Sequence, residues 1–384
     1  MQAADSQRLW SYTIGRRLPV VFLGLSVLFL NGLGLVVLLS IGRAYESGVG
    51  GYFFRQCLWM GIAMTGFASA LIIDYERWRK ASWWVALGGI VLLVIVLVPG
   101  IGMKINGARR WIDIGPMNMQ VSDVAKIGYI LCLAQYFSLV QRHRDTFFKG
   151  FLLPMGVIGV FFVLILMQPD FGTAFLFAVV GGILLFLAGS SLKYLIPTAV
   201  AGAGLFGWAI ANDPVRMGRI LAFLDVEGNR SEGAYQLWQG LIGFGVGGID
   251  GVGLGNGRQQ FAFLPEAHTD FIFPIIGEEL GLVFTLSVVA AFSLFFLVTW
   301  HQLQKAPNIY QFMLVCGSLL FITLQAMINM GVSTGCLPTK GMSLPFISYG
   351  GSNLVVTYFL FGIICRCIWK WNNPPEFQPR EFRS

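Results

Sequence analysis

"LPEAHTDFIFPIIGEELG", residues 264 to 281, decides the fold. Five ionisable groups, Glu266, His268, Asp270, Glu278 and Glu279, lead into an apolar run that continues to about residue 299. A bilayer penalises such groups by several kcal/mol each unless they are paired, hydrated or turned toward a cavity. The stretch therefore marks either a buried helix of a soluble protein or the mouth of a membrane span with polar work to do there.

Composition chooses between the two. Of 384 residues, 56% are hydrophobic and 12% charged, with 33 Phe and 11 Trp, and the mean hydropathy is +0.70. A soluble domain carries about a quarter charged residues. The expected fold class is thus an all-α polytopic membrane protein. Apolar runs fall near residues 19–41, 56–73, 82–99, 121–140, 151–169, 171–189, 191–211, 271–299, 309–330 and 350–369, about ten spans in a single domain over residues 1–384. The first run follows Arg16 and Arg17 and is longer than the roughly 7–15 residues of a signal-peptide core, so it reads as an uncleaved span.

Charge sets the expected orientation. The short connections 74–80 and 141–150 and both termini are basic, whereas 100–120, the long connection 212–270 between spans seven and eight, and 331–351 are mixed in sign. The positive-inside rule places the short basic set, and both termini, in the cytoplasm. Basic residues beside hydrophobic runs are topology determinants, so the net charge of +7 does not point to nucleic acid. The six cysteines form no CxxC pair and have no His partners at metal spacing, which argues against a disulfide framework or a zinc site. The 212–270 connection is long for a structureless loop; its apolar, Gly-rich part is expected to form interfacial or re-entrant helices. Gly243, Gly245 and Gly248 stand in GxGxxG spacing, but with no strand before them and no acidic residue in a βαβ context they do not bind a dinucleotide. They suit close packing.

The outward connections gather cations and carboxylates at one membrane face: Arg109 and Arg110, Asp170, Arg216 and Arg219, Glu266, His268 and Asp270, and Lys340. Arginine and lysine suit phosphate oxygens, and a carboxylate suits proton abstraction. An anionic lipid with a polar head satisfies both. Bland readings stand beside this one. Asp170 is a candidate N-cap for the next span, Arg109 and Arg110 could anchor a loop to headgroups, and Glu278 or Glu279 could pair across the bundle. Asp270 is the best candidate for chemistry, placed where loop becomes helix, with Phe271 and Phe273 to limit water.

"NGARRWI" (106–112), "QPDFGT" (168–173), "AYQ" (234–236), "GVGLGNG" (251–257), "LPEAHTDFIFPIIGEELG" and "LPTKGMSLPFISYGG" (337–351) together resemble the SEDS family (shape, elongation, division and sporulation). The motifs occur in the family's order over nearly the whole chain, and "ARRWI" and "LPTKG" look more like its division branch than its elongation branch. The resemblance implies a ten-span glycosyltransferase of the cytoplasmic (inner) membrane that polymerises lipid II into peptidoglycan glycan strands at the outer face. It implies a cognate class B penicillin-binding protein as partner, with other divisome proteins. The family's essential aspartate falls on Asp270, its glutamate on Glu266 and its lysine on Lys340. The chain departs from the pattern in places. "VSD" puts Asp123 where the family shows glutamate in "PSE", Gln239-Gly240 replaces Gln-Ser, Asp225 replaces a proline, and Asn353 replaces the last serine of "GGSS".

The expected reaction centre is therefore Asp270 as base with Glu266 and Lys340. Arg109, Arg110, Arg216, Arg219, Asp123, Asp170, His268 and Ser348 are expected to bind substrate. A divalent cation, Mg2+ or Mn2+, is compatible with this chemistry as a bridge between phosphate oxygens, although no compact metal-ligand motif is visible. Two other classes fit the same residues. One is a translocase for lipid-linked sugars, which would depend most on Glu278 or Glu279. The other is a non-catalytic assembly scaffold, indifferent to Asp270→Ala.

Overall fold

The ten apolar runs each become a helix in the computed structural model, which describes residues 2–44, 51–105, 107–115, 118–259, 264 and 266–373. In chain order these are α1 (Gln2–Ala44), α2 (Gly51–Ile72), α3 (Tyr75–Ile95), α4 (Val121–Val140), α5 (Leu153–Leu166), α6 (Phe171–Leu187) and α7 (Leu192–Ala211). After two short helices, α8 (Pro214–Leu224) and α9 (Tyr235–Gly247), come α10 (Ile272–Leu303), α11 (Ile309–Ser333) and α12 (Gly351–Asn372). Among the described residues, eight helices are long and apolar enough to cross a membrane. The shorter α6 and the less apolar α2 are not among the eight, which qualifies the expected count of ten. The protein is a multi-pass, mainly helical membrane protein.

Burial sorts the helices. α4, α11 and α12 are buried along most of their length, and α7 has no buried residue. Lipid is as apolar as leucine, so an unburied apolar helix is stable there. α12 packs on α2, α3 on α4, and α9 and α1 on α10. The central layer is aromatic: Tyr129, Phe161, Phe177 and Phe321 pack edge to face, tilted or, for Phe161 on Phe177, near parallel, and the buried Tyr129 hydroxyl donates to the Phe177 carbonyl at 2.8 Å. That bond satisfies a hydroxyl that lipid and leucine could not.

The connection between α3 and α4 adds a small sheet to this mainly helical fold. Residues 102–120 form a three-stranded antiparallel sheet, β1 (Gly102–Ile105), β2 (Ala108–Asp113) and β3 (Asn118–Gln120), in the order β1-β2-β3. Ile105 pairs with Ala108 and Trp111 with Gln120. The signal was present as Asn-Gly between two short runs, which favours a two-residue hairpin turn, and Gly107 has the left-handed φ of 80° such a turn requires. β3 runs directly into α4, so the sheet lies against the start of a span.

The long connection contains helices, as its composition suggested. α9 presents Gly240, Gly243 and Gly247, all buried, to α10. A methyl group at Gly247 would run into the Gly277 carbonyl oxygen, and Gly243 packs on Pro274, whereas a methyl group at Gly245 or Gly248 of the GxGxxG-like spacing would meet no close neighbour among the described residues. Beyond α9 the chain folds back as a strap over α10, whose helix is interrupted at Gly281 (φ 75°, ψ −172°). There the Leu282 amide donates to Gly248, while the Val252 and Gly253 amides donate to the Glu278 and Glu279 carbonyls. The two carboxylates finish the strap. Glu278 accepts from the Arg258 and Gln259 amides, and Glu279 from Ser40 Oγ at 2.7 Å and the Gly255 amide at 3.0 Å. Two acids within a span thus bind backbone N–H groups that would otherwise be orphaned in a low-dielectric setting.

Candidate active site

Asp170 organises one wall of the site. It ends the α5–α6 turn and caps α6, its Oδ1 accepting from the Thr173 amide at 3.2 Å. Arg110 of β2 reaches Oδ2 at 2.9 Å and Lys340 of the 334–350 loop reaches Oδ1 at 3.0 Å. The Asp170 side chain is 1% exposed and each cation 22%. Burial alone would raise this carboxyl, but Lys340, Arg110 and the Thr173 amide outweigh it and hold it at about 2. The two cations that favour its anionic form remain partly open to solvent.

A polar floor lies deeper. Asp123 and Lys126, one turn apart on α4, pair at 2.8 Å. Ser352 donates to Asp123 at 3.0 Å, Lys126 donates to Gln325 at 2.8 Å, and Gln325 donates to the Ser343 carbonyl and to Asn353. Buried charges and amides persist only when so satisfied.

Asp270 stands between wall and floor. Residues 266 to 271 form a tight turn in which Glu266 takes a left-handed φ of 58°, a conformation costly for a non-glycine residue and common at functional sites. The Glu266 carbonyl accepts from the Thr269 and Phe271 amides, and its carboxylate from Thr269 Oγ1 at 2.8 Å. Desolvation first, and then the nearby Glu266 charge, push the Asp270 carboxyl up to about 6, against the pull of Arg110 and Lys340. Gly341 lies so close that a Cβ there would meet Asp270 Oδ2. Arg110, Trp111, Gln120, Asp123, Lys126, Glu266, Asp270, Gln325 and Asn353 all line one cavity of about 200 Å³. A base of pKa near 6, two cations and a floor of amides and hydroxyls suit a reaction in which a hydroxyl loses a proton while an anion departs.

The profile of the FtsW/RodA/SpoVE cell cycle proteins matches residues 21–371. The chain belongs to this family. A probable peptidoglycan glycosyltransferase FtsW of Saccharophagus degradans is 37% identical over 347 residues, 89% of either chain. One of Coxiella burnetii, of the same name, is 36% identical over 371 residues, 95% of this chain and 98% of that one. Among solved structures, a chain described under "Structural coordination of polymerization and crosslinking by a peptidoglycan synthase complex" superposes with a TM-score of 0.76 at 24% identity, covering 91% of this chain and 97% of that one. The rod shape determining protein RodA of Thermus thermophilus superposes with a TM-score of 0.68 at 23% identity, covering 93% and 97%. These two likenesses show the FtsW/RodA fold.

The FtsW/RodA-type chain brings together some of the residues singled out from its sequence and leaves others apart. Asp270, Glu266, Arg110 and Asp123 line the cavity, and Lys340 and Asp170 join it through the Arg110–Asp170–Lys340 cluster. Arg109 instead donates to the Leu97 carbonyl. Arg216 pairs with Asp213 at 3.0 Å and lies over the Phe171 ring, and Arg219 is exposed on the same helix. His268 forms a three-ring cluster with Tyr52 and Tyr349, its tilted ring 4.4 and 5.7 Å from theirs and the two tyrosines 5.3 Å apart, and burial lowers its pKa. Ser348 accepts from the Leu344 amide and donates to the Thr269 carbonyl. Those five lie outside the cavity lining. Lys126, Gln325, Asn353 and Trp111 line it without having been singled out. Only Lys126 carried a sequence signal, an acid and a base at i and i+3 inside an apolar run.

No group of three or more His, Cys, Asp or Glu that could hold a metal occurs among the described residues. Lys126 neutralises Asp123, and Arg110 and Lys340 neutralise Asp170. Glu266 and Asp270 are the other two carboxylates lining the cavity, and no step below runs through a metal.

Proposed function

We propose that this chain is a peptidoglycan glycosyltransferase that polymerises lipid II at the outer face of the cytoplasmic membrane, with both termini cytoplasmic, in septal synthesis. The observation that carries the reading is Asp270, a carboxyl raised to about 6 in a cavity that also holds Arg110 and the Asp123–Lys126 floor. The acceptor sugar's hydroxyl oxygen attacks the anomeric carbon of the donor. A new C–O bond forms, the hydroxyl proton passes to Asp270, and the bond to the lipid pyrophosphate breaks. A placed base contributes about 10²–10⁴ in rate to such a step. Glu266 keeps the Asp270 carboxyl basic enough to accept that proton. Arg110 and Lys340, fixed in advance by Asp170, present positive charge to the departing pyrophosphate without reorganising.

A class B penicillin-binding protein is the expected partner, supplying the transpeptidase. The structural neighbour, from a peptidoglycan synthase complex that coordinates polymerization and crosslinking, supports this. A translocase fits less well, because Glu278 and Glu279, the acids such a path would use, are bonded to backbone amides of the strap. The test is glycan-strand formation by the purified protein in liposomes with lipid II and the partner, comparing wild type with Asp270→Ala. Polymer from wild type alone supports the reading. Polymer from both removes Asp270 from the chemistry, and bilayer crossing of labelled lipid II with no polymer from either favours the translocase.

A further inference from the structure

Three consecutive backbone carbonyls in the Asp270 turn are each held by a donor from another segment. The Tyr349 amide donates to His268 O at 2.9 Å, Ser348 Oγ to Thr269 O at 2.6 Å, and Asn329 Nδ2 to Asp270 O at 2.8 Å. The same Asn329 nitrogen donates to Met342 O at 2.6 Å, so both its hydrogens are committed. Asn329 sits on α11, 2% exposed, and its Oδ1 has no hydrogen-bond partner among the described residues. Leaving a buried acceptor unmatched is unfavourable, and reversing the amide would set that oxygen against two carbonyls. The orientation therefore follows from the bonds around it.

We propose that Asn329 is a positioning residue for Asp270, bridging the Asp270 carbonyl to Met342 across the two outer loops and so fixing where the carboxyl stands in the cavity. The proposal rests on Asp270 acting as the base. The geometry supports it from both sides. Met342 and Gly341 line the cavity beside Asp270, and the Asp270 carboxyl occupies the space that a Cβ at Gly341 would fill. A single amide NH2 can hold two carbonyls at once, whereas a hydroxyl has one hydrogen and a carboxylate none. Asn329 touches neither the cavity nor the reacting atoms; it acts through the backbone.

The test is steady-state lipid II polymerisation by the chain in complex with its transpeptidase partner in liposomes, for Asn329→Ala, Asn329→Asp and Asp270→Ala. Misplacing a catalytic group by about 1 Å costs up to about 10²-fold in rate. Both Asn329 variants are expected to lower kcat by about 10- to 100-fold with KM for lipid II within about twofold of wild type. Wild-type kcat in folded Asn329 variants, with Asp270→Ala inactive, overturns the bridge and leaves the base standing. A raised KM at unchanged kcat also overturns it. Activity in Asp270→Ala instead removes the base reading beneath it. Should these Asn329 variants fail to fold, Asn329→Ser, which keeps a single donor hydrogen for the two carbonyls, decides. A lower kcat at constant KM supports the bridge, and wild-type kcat overturns it.

Discussion

Lys340 directs its ammonium to Asp170, 3.0 Å away, although the next residue, Gly341, lies directly against Asp270. One lysine thus completes an ion cluster with Arg110 while its loop supports the candidate base. Removing Asp170 would leave two cations facing each other in a mostly buried wall. Asp170→Ala is expected to lower stability by about 3–5 kcal/mol, as for other broken buried pairs. Thermal unfolding in detergent checks this, and an unchanged Tm would show that the cluster contributes little.

Glu266 raises the Asp270 carboxyl, after desolvation. Glu266→Gln removes that charge while keeping the bulk, so the Asp270 pKa is expected to fall. A base must be deprotonated to act, so the acid limb of the polymerisation rate moves to lower pH. The proton affinity of the base falls as well, and with it the maximal rate. An acid limb that stays in place would detach Glu266 from Asp270.

Lys340 has the opposite sign, because its charge lowers the Asp270 pKa. Lys340→Met is expected to move the acid limb to higher pH. Loss of a preorganised cation near the leaving pyrophosphate is also expected to lower kcat by about 10²-fold. A rise in KM alone would place Lys340 in ground-state binding instead.

Glu278 accepts from two backbone amides of the strap, Arg258 and Gln259. Glu278→Ala leaves those N–H groups unmatched, at about 1–3 kcal/mol, and is expected to expose residues 248–259 to protease. Glu278→Gln keeps an acceptor and is expected to have the smaller effect. Intact lipid II polymerisation in a folded Glu278→Gln protein would separate the strap from chemistry.

The spans were legible because a bilayer demands long apolar runs, and each of the ten runs falls on a helix. Asp170 as a cap was legible too, from Asp-Phe-Gly-Thr at the start of a run. What the sequence concealed depends on distant partners. Nothing near Glu278 and Glu279 announces that a glycine-rich strap some twenty residues earlier needs acceptors. The Asn329 bridge and the Gln325–Asn353 pair join residues whose roles are set only by packing. The β-sheet was different: its Asn-Gly turn was readable but lay within a loop between spans, where strands were not expected.

The central claim is that the Asp270 carboxylate takes the proton. The most direct measurement is the pH dependence of single-turnover lipid II coupling, with partner present, for wild type and Asp270→Asn at equal folding. The account predicts a wild-type rate that falls about tenfold per unit below about pH 6, and loss of coupling in Asp270→Asn across the range. Coupling by Asp270→Asn at the wild-type rate would contradict it.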